Sequence, residues 1–191
     1  LFFKTLQYNF HMENYKCKSV GIIGSGIQGV CTGLHLIKKG IPVTIFDRHD
    51  PLSKEFKAAS YGNAGHFSPY AVLQFNMHAR DPHGILKKGG KFKKENIQDI
   101  EFDNEKPVFI ANSQKNTFDK AVIACGAFSK KLTDNLNERI PLDTERGYHV
   151  HSKGCDHLLS RPVIFSNRGF GITPMEQGLR VVGTVEFGGL E

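Results

Sequence analysis

Ser19-Val20-Gly21-Ile22-Ile23-Gly24-Ser25-Gly26-Ile27-Gln28-Gly29 opens the stretch that decides the fold, and Val43-Thr44-Ile45-Phe46-Asp47 closes it. Val20, Ile22 and Ile23 make a short apolar strand. Ile27, Val30, Cys31, Leu34 and Ile37 then recur at helical spacing. Lys38-Lys39 suit a last helical turn, Gly40 the position just past it, and Pro42 the stop. The order is strand, glycine turn, helix, strand, acid, which is the plan of a dinucleotide-binding βαβ unit. Gly24 permits the tight turn, Gly26 lets the backbone approach a pyrophosphate, and Gly29 lets the helix lie close to the strand. The phosphates are expected at the helix N-terminus, with Ile27 and Gln28 in its first turn. Asp47 is placed to accept from an adenosine ribose and argues against a 2′-phosphate, although Arg48 beside it blunts that discrimination. The motif alone does not separate NAD from FAD.

Working outward, 191 residues suffice for one good core or two small ones, and 39% hydrophobic with 23% charged residues is ordinary globular composition. The cysteines Cys17, Cys31, Cys125 and Cys155 form no CxxC, so a reducing, cytoplasmic compartment is expected, with Cys31 and Cys125 as buried thiols. The net charge of +6 gathers in Lys87-Lys88, Lys91 to Lys94 and Lys130-Lys131. No aromatic interleaving points to nucleic acid, so a solvated face is the first reading and attraction to anionic lipid the second. No apolar run spans a membrane. His78/His83 and His149/His151 lack acidic or cysteine partners at ligand spacing, so no metal is expected. Residues 1–11 are expected to lie outside the fold, with Met12 as the natural start.

Asp119 to Gly126 reads as a strand buried on both faces, followed by a helix from Ala127 to Leu132. Ile100-Glu101-Phe102, Val108-Phe109-Ile110 and Thr117-Phe118 read as a β-meander. From Pro141 the chain becomes short strands with turns at Asn167-Arg168-Gly169 and Glu176-Gln177-Gly178. The expected fold class is α/β: a Rossmann-type parallel sheet over residues 12–140, then part of an antiparallel β substrate domain over 141–191.

A family resemblance rests on a second motif. Gly24-x-Gly26-x-x-Gly29 followed by Ser60-x-x-Asn63-Ala64-Gly65-x-x-Ser68-Pro69 resembles the FAD-dependent D-amino acid dehydrogenases, within the D-amino acid oxidase, glycine oxidase and sarcosine oxidase superfamily. Arg146-Gly147-Tyr148-His149, Thr173-Pro174-Met175-Glu176 and Gly178 to Glu186 extend it. The resemblance implies FAD as cofactor, with Ser60, Asn63, Ala64, Gly65 and Ser68 against the flavin and its phosphates. It also implies adenine near the backbone of Ile97, and phosphates near Ala124 and Gly126. It implies oxidative deamination of an amino acid by hydride transfer to flavin. Electrons would pass to a membrane quinone or to oxygen, with the protein at most peripheral on the inner face of the membrane.

Substrate carboxylate needs a cation, for which Arg146, Arg180 and Arg161 are available, with Tyr148 as a hydroxyl donor. For each arginine taken singly, a surface charge is the simpler expectation. Relatives in this group carry a long helical segment between the landmarks at Ser68-Pro69 and Asp81-Pro82, and a further flavin fingerprint beyond Glu191. The chain therefore reads as an internally shortened member, and weak flavin binding and poor turnover are expected of it. A non-catalytic nucleotide-binding remnant and a glycine or sarcosine oxidase-like enzyme are the alternatives. An NAD-linked enzyme is disfavoured by the Asn63-Ala64-Gly65 loop.

Overall fold

The structure is a computed structural model, described over residues 17–51, 53, 58–59, 82–112, 114–176 and 178–190. Residues 1–16, including Met12, and the Ser60 to Ser68 loop with the junction after it lie outside the described residues.

The quoted stretch forms β1 (Val20–Ile23), α1 (Ile27–Lys38) and β2 (Val43–Asp47). They are followed by α2 (Pro82–Lys87), β3 (Lys91–Lys94), β4 (Asp99–Asp103), β5 (Lys106–Ala111), β6 (Gln114–Thr117), β7 (Lys120–Ile123) and α3 (Ser129–Asn135). The strands β8 (Arg146–Ser152), β9 (Val163–Phe165), β10 (Phe170–Met175) and β11 (Gly178–Glu186) complete the order. A parallel sheet runs β3-β2-β1-β7, β4-β5-β6 form an antiparallel meander, and β8-β11-β10-β9 form a second antiparallel sheet. The third parallel strand is shorter than the run from Gly89 to Ile97 suggests. It pairs with β2 only from Lys91 to Lys94, with Ile45 opposite Phe92.

Alternation along β1 and β2 sorts the cores. Val20, Ile22, Val43 and Ile45 face α1 and α2 and pack with Val30 and Ile85. Ile23 and Phe46 face the meander and pack with Ile97, Ile100, Phe109 and Leu132. The ring of Phe46 meets those of Phe109 and Phe118 edge-on at 5.5 and 5.8 Å. Gly21 makes room for this layer, since a Cβ there would sit 2.5 Å from both Phe109 and Phe118. α2 is only six residues long, too short to hold itself as a helix, and it is held by Ile85, which is 2% exposed.

α1 ends as its sequence suggests. Gly40 takes φ +76°, and its N–H donates to the Ile37 carbonyl while that of Ile41 reaches the Leu36 carbonyl. β7 departs from expectation. It is half-buried rather than buried on both faces, because it ends the sheet among the described residues and has β1 on one side only. The cysteines depart likewise: Cys31 and Cys125 are partly buried.

Asp119 ties the start of β1 to β7. Its Oδ2 accepts from the Lys18 N–H at 2.7 Å, and the Lys106 ammonium lies 3.2 Å from Oδ1. The Lys18 N–H bond first, then Lys106, holds the Asp119 carboxyl below its ordinary range. A carboxyl depressed in the folded state contributes stability above its unfolded pKa and loses it as pH falls through the folded one. Asp119→Asn is therefore expected to lower the urea midpoint near pH 7, with the gap to wild type narrowing as pH falls below about 4, the ordinary aspartate value. A gap that stays constant with pH would contradict this role.

Candidate dinucleotide site

The site is built where the parallel strands end. β1 runs into Gly24, whose N–H donates to the Phe46 carbonyl, and β7 runs into Ala124, whose N–H donates to the Ile23 carbonyl. The ends of β1, β2 and β7 thus converge at the carboxyl edge of the sheet, where open α/β folds place ligands. Gly24 takes φ +104°, and a Cβ on it would come 2.4 Å from the Ala124 carbonyl oxygen. Gly29 is packed still closer, with a Cβ position 1.9 Å from the Gly24 carbonyl oxygen. The first and third glycines therefore shape one close contact between helix, turn and β7. Gly26 caps α1 in extended conformation, with no side-chain cap and no acid in the first helical turn. An anion approaching there meets backbone N–H groups and the positive end of the helix, with no competing carboxylate in the turn itself.

Asp47 is held from three sides. Its Oδ2 accepts from both the N–H and the hydroxyl of Ser25, each at 2.8 Å, and its Oδ1 accepts from the His49 N–H at 3.0 Å. Ser25 is 4% exposed, so the carboxylate also satisfies two buried donors of the glycine turn. Sequence reading gave Asp47 a ribose and missed this latch. The signal was present in the small hydroxyl residue between the two glycines.

The Arg48 guanidinium lies over the Phe128 ring, 4.5 Å from its centre. Phe128 sits in the single turn Gly126–Phe128 after β7, so this contact spans the ends of β2 and β7. Cys125 lies between them and donates to the Ile23 carbonyl. Burial first, then the charge of Asp47, pushes its thiol up to about 11, so it stays protonated at neutral pH. Gly126 has φ +56°, and a Cβ on it would meet nothing within 4 Å, leaving its backbone open to a ligand. The Ile97 side chain belongs to the core under the meander. A small apolar pocket opens on the α1 and α2 side of the turn, between Ser25, Val30, Pro51, Leu86 and Phe92.

The substrate candidates fall into two groups. Arg146 and Tyr148 both reach Glu186, Arg146 with a 3.3 Å ion pair and Tyr148 by donating its hydroxyl. The Tyr148 bond and then the Arg146 charge keep the Glu186 carboxyl below its ordinary range. Arg180 is buried, contrary to the expectation of a surface charge, and its Nε donates to His151 Nε2 at 2.7 Å. Arg180 stands opposite His151, whereas Arg146 stands opposite Glu186. Odd and even positions of β8 point to opposite faces, so Arg180 lies on one face of the sheet, and Arg146 and Tyr148 on the other. Burial, then Arg180 and His149, pull the His151 pKa down, which suits its role as acceptor. Neither Glu186 nor His151 was given these partners from sequence, because long-range strand pairing alone supplies them.

Comparison with known proteins decides the lineage. The model of the family described as FAD dependent oxidoreductase matches residues 19–82 and 83–191. The chain belongs to that FAD-dependent oxidoreductase family. It is 33% identical over 107 residues to a D-amino-acid oxidase from Bradyrhizobium diazoefficiens, a match covering 56% of this chain and 25% of that protein. Among solved structures it resembles the glycine oxidases of Geobacillus kaustophilus and Bacillus cereus, with TM-scores of 0.70 and 0.67. Identities are 14% and 17%, and each match covers 90% of this chain and 72% of the other. These likenesses bear out the Rossmann-type sheet with an antiparallel partner sheet. The match to the curated oxidase spans about a quarter of its length.

FAD is the cofactor that goes with the family, and the geometry fits its ADP part. The crowding at Gly24 and Gly29 leaves a turn made of backbone, an uncapped helix start, an acid and an open Gly126 at one sheet edge. Among the described residues no helix is long and apolar enough to cross a membrane.

Proposed function

We propose that this chain carries the ADP-binding part of a D-amino acid dehydrogenase-like flavoenzyme, together with strands of its substrate domain. The observation that carries the reading is the Asp47 latch on Ser25, which fixes an acid beside an uncapped helix start at the carboxyl edge of the sheet. When bound, FAD supplies the acceptor for the hydride leaving the α-carbon of an amino acid.

The chain's own residues bind and orient. Backbone N–H groups from Gly26 to Gly29 take the pyrophosphate, and Asp47 takes the ribose through acceptor capacity left after Ser25 and His49. Gly126 offers backbone to the phosphates, and the family resemblance gives Asn63, Ala64, Gly65 and Ser68 to the flavin as well. On the antiparallel sheet, Arg180 is oriented by His151, and Tyr148 and Arg146 by Glu186. Since they lie on opposite faces of the sheet, Arg180 and the Arg146–Tyr148 pair are alternative partners for a substrate carboxylate. The proposed electron acceptor is a membrane quinone.

The test is reconstitution with FAD followed by anaerobic addition of D-alanine, D-proline or glycine. The expected result is flavin uptake at high FAD concentration and slow bleaching of its absorbance by at least one D-amino acid. A protein that takes up FAD but is bleached by none of them would overturn the amino acid assignment and leave a nucleotide-binding module.

A further inference from the structure

The amino edge of the parallel sheet, at the far end from the glycine turn, is basic. Lys38 and Lys39 end α1, Lys87 and Lys88 end α2, and Lys91 begins β3. All five are exposed. The fold gathers them. A Cβ on Gly90 would lie 2.8 Å from the tip of Ile37, so the segment carrying Lys87, Lys88 and Lys91 packs against the last turn of α1. Lys91 also pairs in register with Thr44, just after Lys38 and Lys39 have led into β2.

No acid interrupts residues 33–46 or 82–94, and among the described residues none of the five lysines is in an ion pair. Lys18, exposed ahead of β1, continues the row. Asp119, Asp103 and Glu105 bound it near β7 and the meander. Five lysines without counter-charge on one rim of the sheet repel one another, and an anionic partner relieves that.

We propose that this lysine rim docks the protein on an anionic lipid surface. Three features favour a bilayer. The charges are ammonium groups on flexible stems, which suit diffuse headgroup charge better than bidentate readout. Leu86, 46% exposed between Ile85 and the two helix-ending lysines, offers an apolar contact to the interface. No Phe, Tyr or Trp side chain is exposed among residues 33–46 or 84–94 to stack on bases. The proposal rests on the reading of a flavoenzyme with a membrane acceptor and names the surface that meets the membrane. Because the rim is at the opposite end of the strands from Gly24, docking leaves the dinucleotide site uncovered.

The test is co-sedimentation of the full chain with phosphatidylcholine vesicles and with vesicles rich in phosphatidylserine. Binding is expected only to the latter. It should fall when salt rises from about 0.1 M to about 1 M, which shortens the screening length from about 10 Å to about 3 Å. A variant carrying Lys38→Gln, Lys39→Gln, Lys87→Gln, Lys88→Gln and Lys91→Gln is expected to bind roughly a hundredfold more weakly or worse, with FAD affinity unchanged. Equal binding to both vesicle types would overturn the proposal, as would salt-insensitive binding or full binding by the variant. Retention of a duplex oligonucleotide in place of vesicles would also overturn it. Loss of vesicle binding with intact FAD uptake leaves the flavoenzyme reading standing, so the two fail separately.

Discussion

Gly29→Val is expected to lower the melting temperature by roughly 6–12 °C and to abolish FAD and ADP binding. The Cβ would sit 1.9 Å from the Gly24 carbonyl oxygen, a backbone atom with no rotamer to yield. The helix start must then move off β1, at a cost of about 3 kcal/mol, the top of the usual range for overpacking. At roughly 2–4 °C per kcal/mol for a chain of this size, that gives the stated shift. The same movement opens the turn that presents N–H groups to phosphate. Gly33→Ala is the control on the same helix. Its Cβ would meet only the tips of Ile85 at 3.0 Å and Ile45 at 3.2 Å, which can shift by a few tenths of an ångström. It should stay within about 1 kcal/mol of wild type, since helix propensity gains what packing loses. Thermal melts with an ADP titration of both variants check this. Equal melting temperatures would mean that the Gly24–Gly29 contact does not set the fold.

Asp47→Ala is expected to weaken FAD binding at least about tenfold and to lower stability by about 2 kcal/mol. The loss has two sources. A ribose partner disappears, and the buried N–H and hydroxyl of Ser25 lose their shared acceptor. Asp47→Asn keeps one acceptor oxygen but faces another N–H or hydroxyl with its amide. It should recover part of the stability and little of the affinity. Denaturant melts and flavin titration of the pair separate the roles. Alanine and asparagine variants of wild-type affinity would show that Asp47 serves the turn alone.

The fold was legible where local signals repeat. The glycine spacing, the helical run to Lys38 and the Gly40 stop required nothing beyond neighbours in sequence. The meander was legible from alternation between Ile100 and Phe118. What stayed hidden depends on distant pairing. The Ser25 bond to Asp47 crosses 22 positions, and the Tyr148 bond to Glu186 crosses 38. A half-buried β7 follows from strand order, which composition does not encode. Arg180 was misjudged because a lone arginine reads as surface charge. Its burial comes from its place opposite His151 in β11, a matter of register.

The central claim is that residues Gly24 to Gly29 and Asp47 hold the ADP part of FAD. Titration of the isotopically labelled chain with ADP, followed through backbone amide shifts, tests it most directly. The account predicts saturable shifts, largest at Gly24 to Gly29, Asp47, Arg48 and Gly126, with β8 to β11 unmoved. Saturable shifts confined to other residues, or none at these positions at full occupancy, would contradict it.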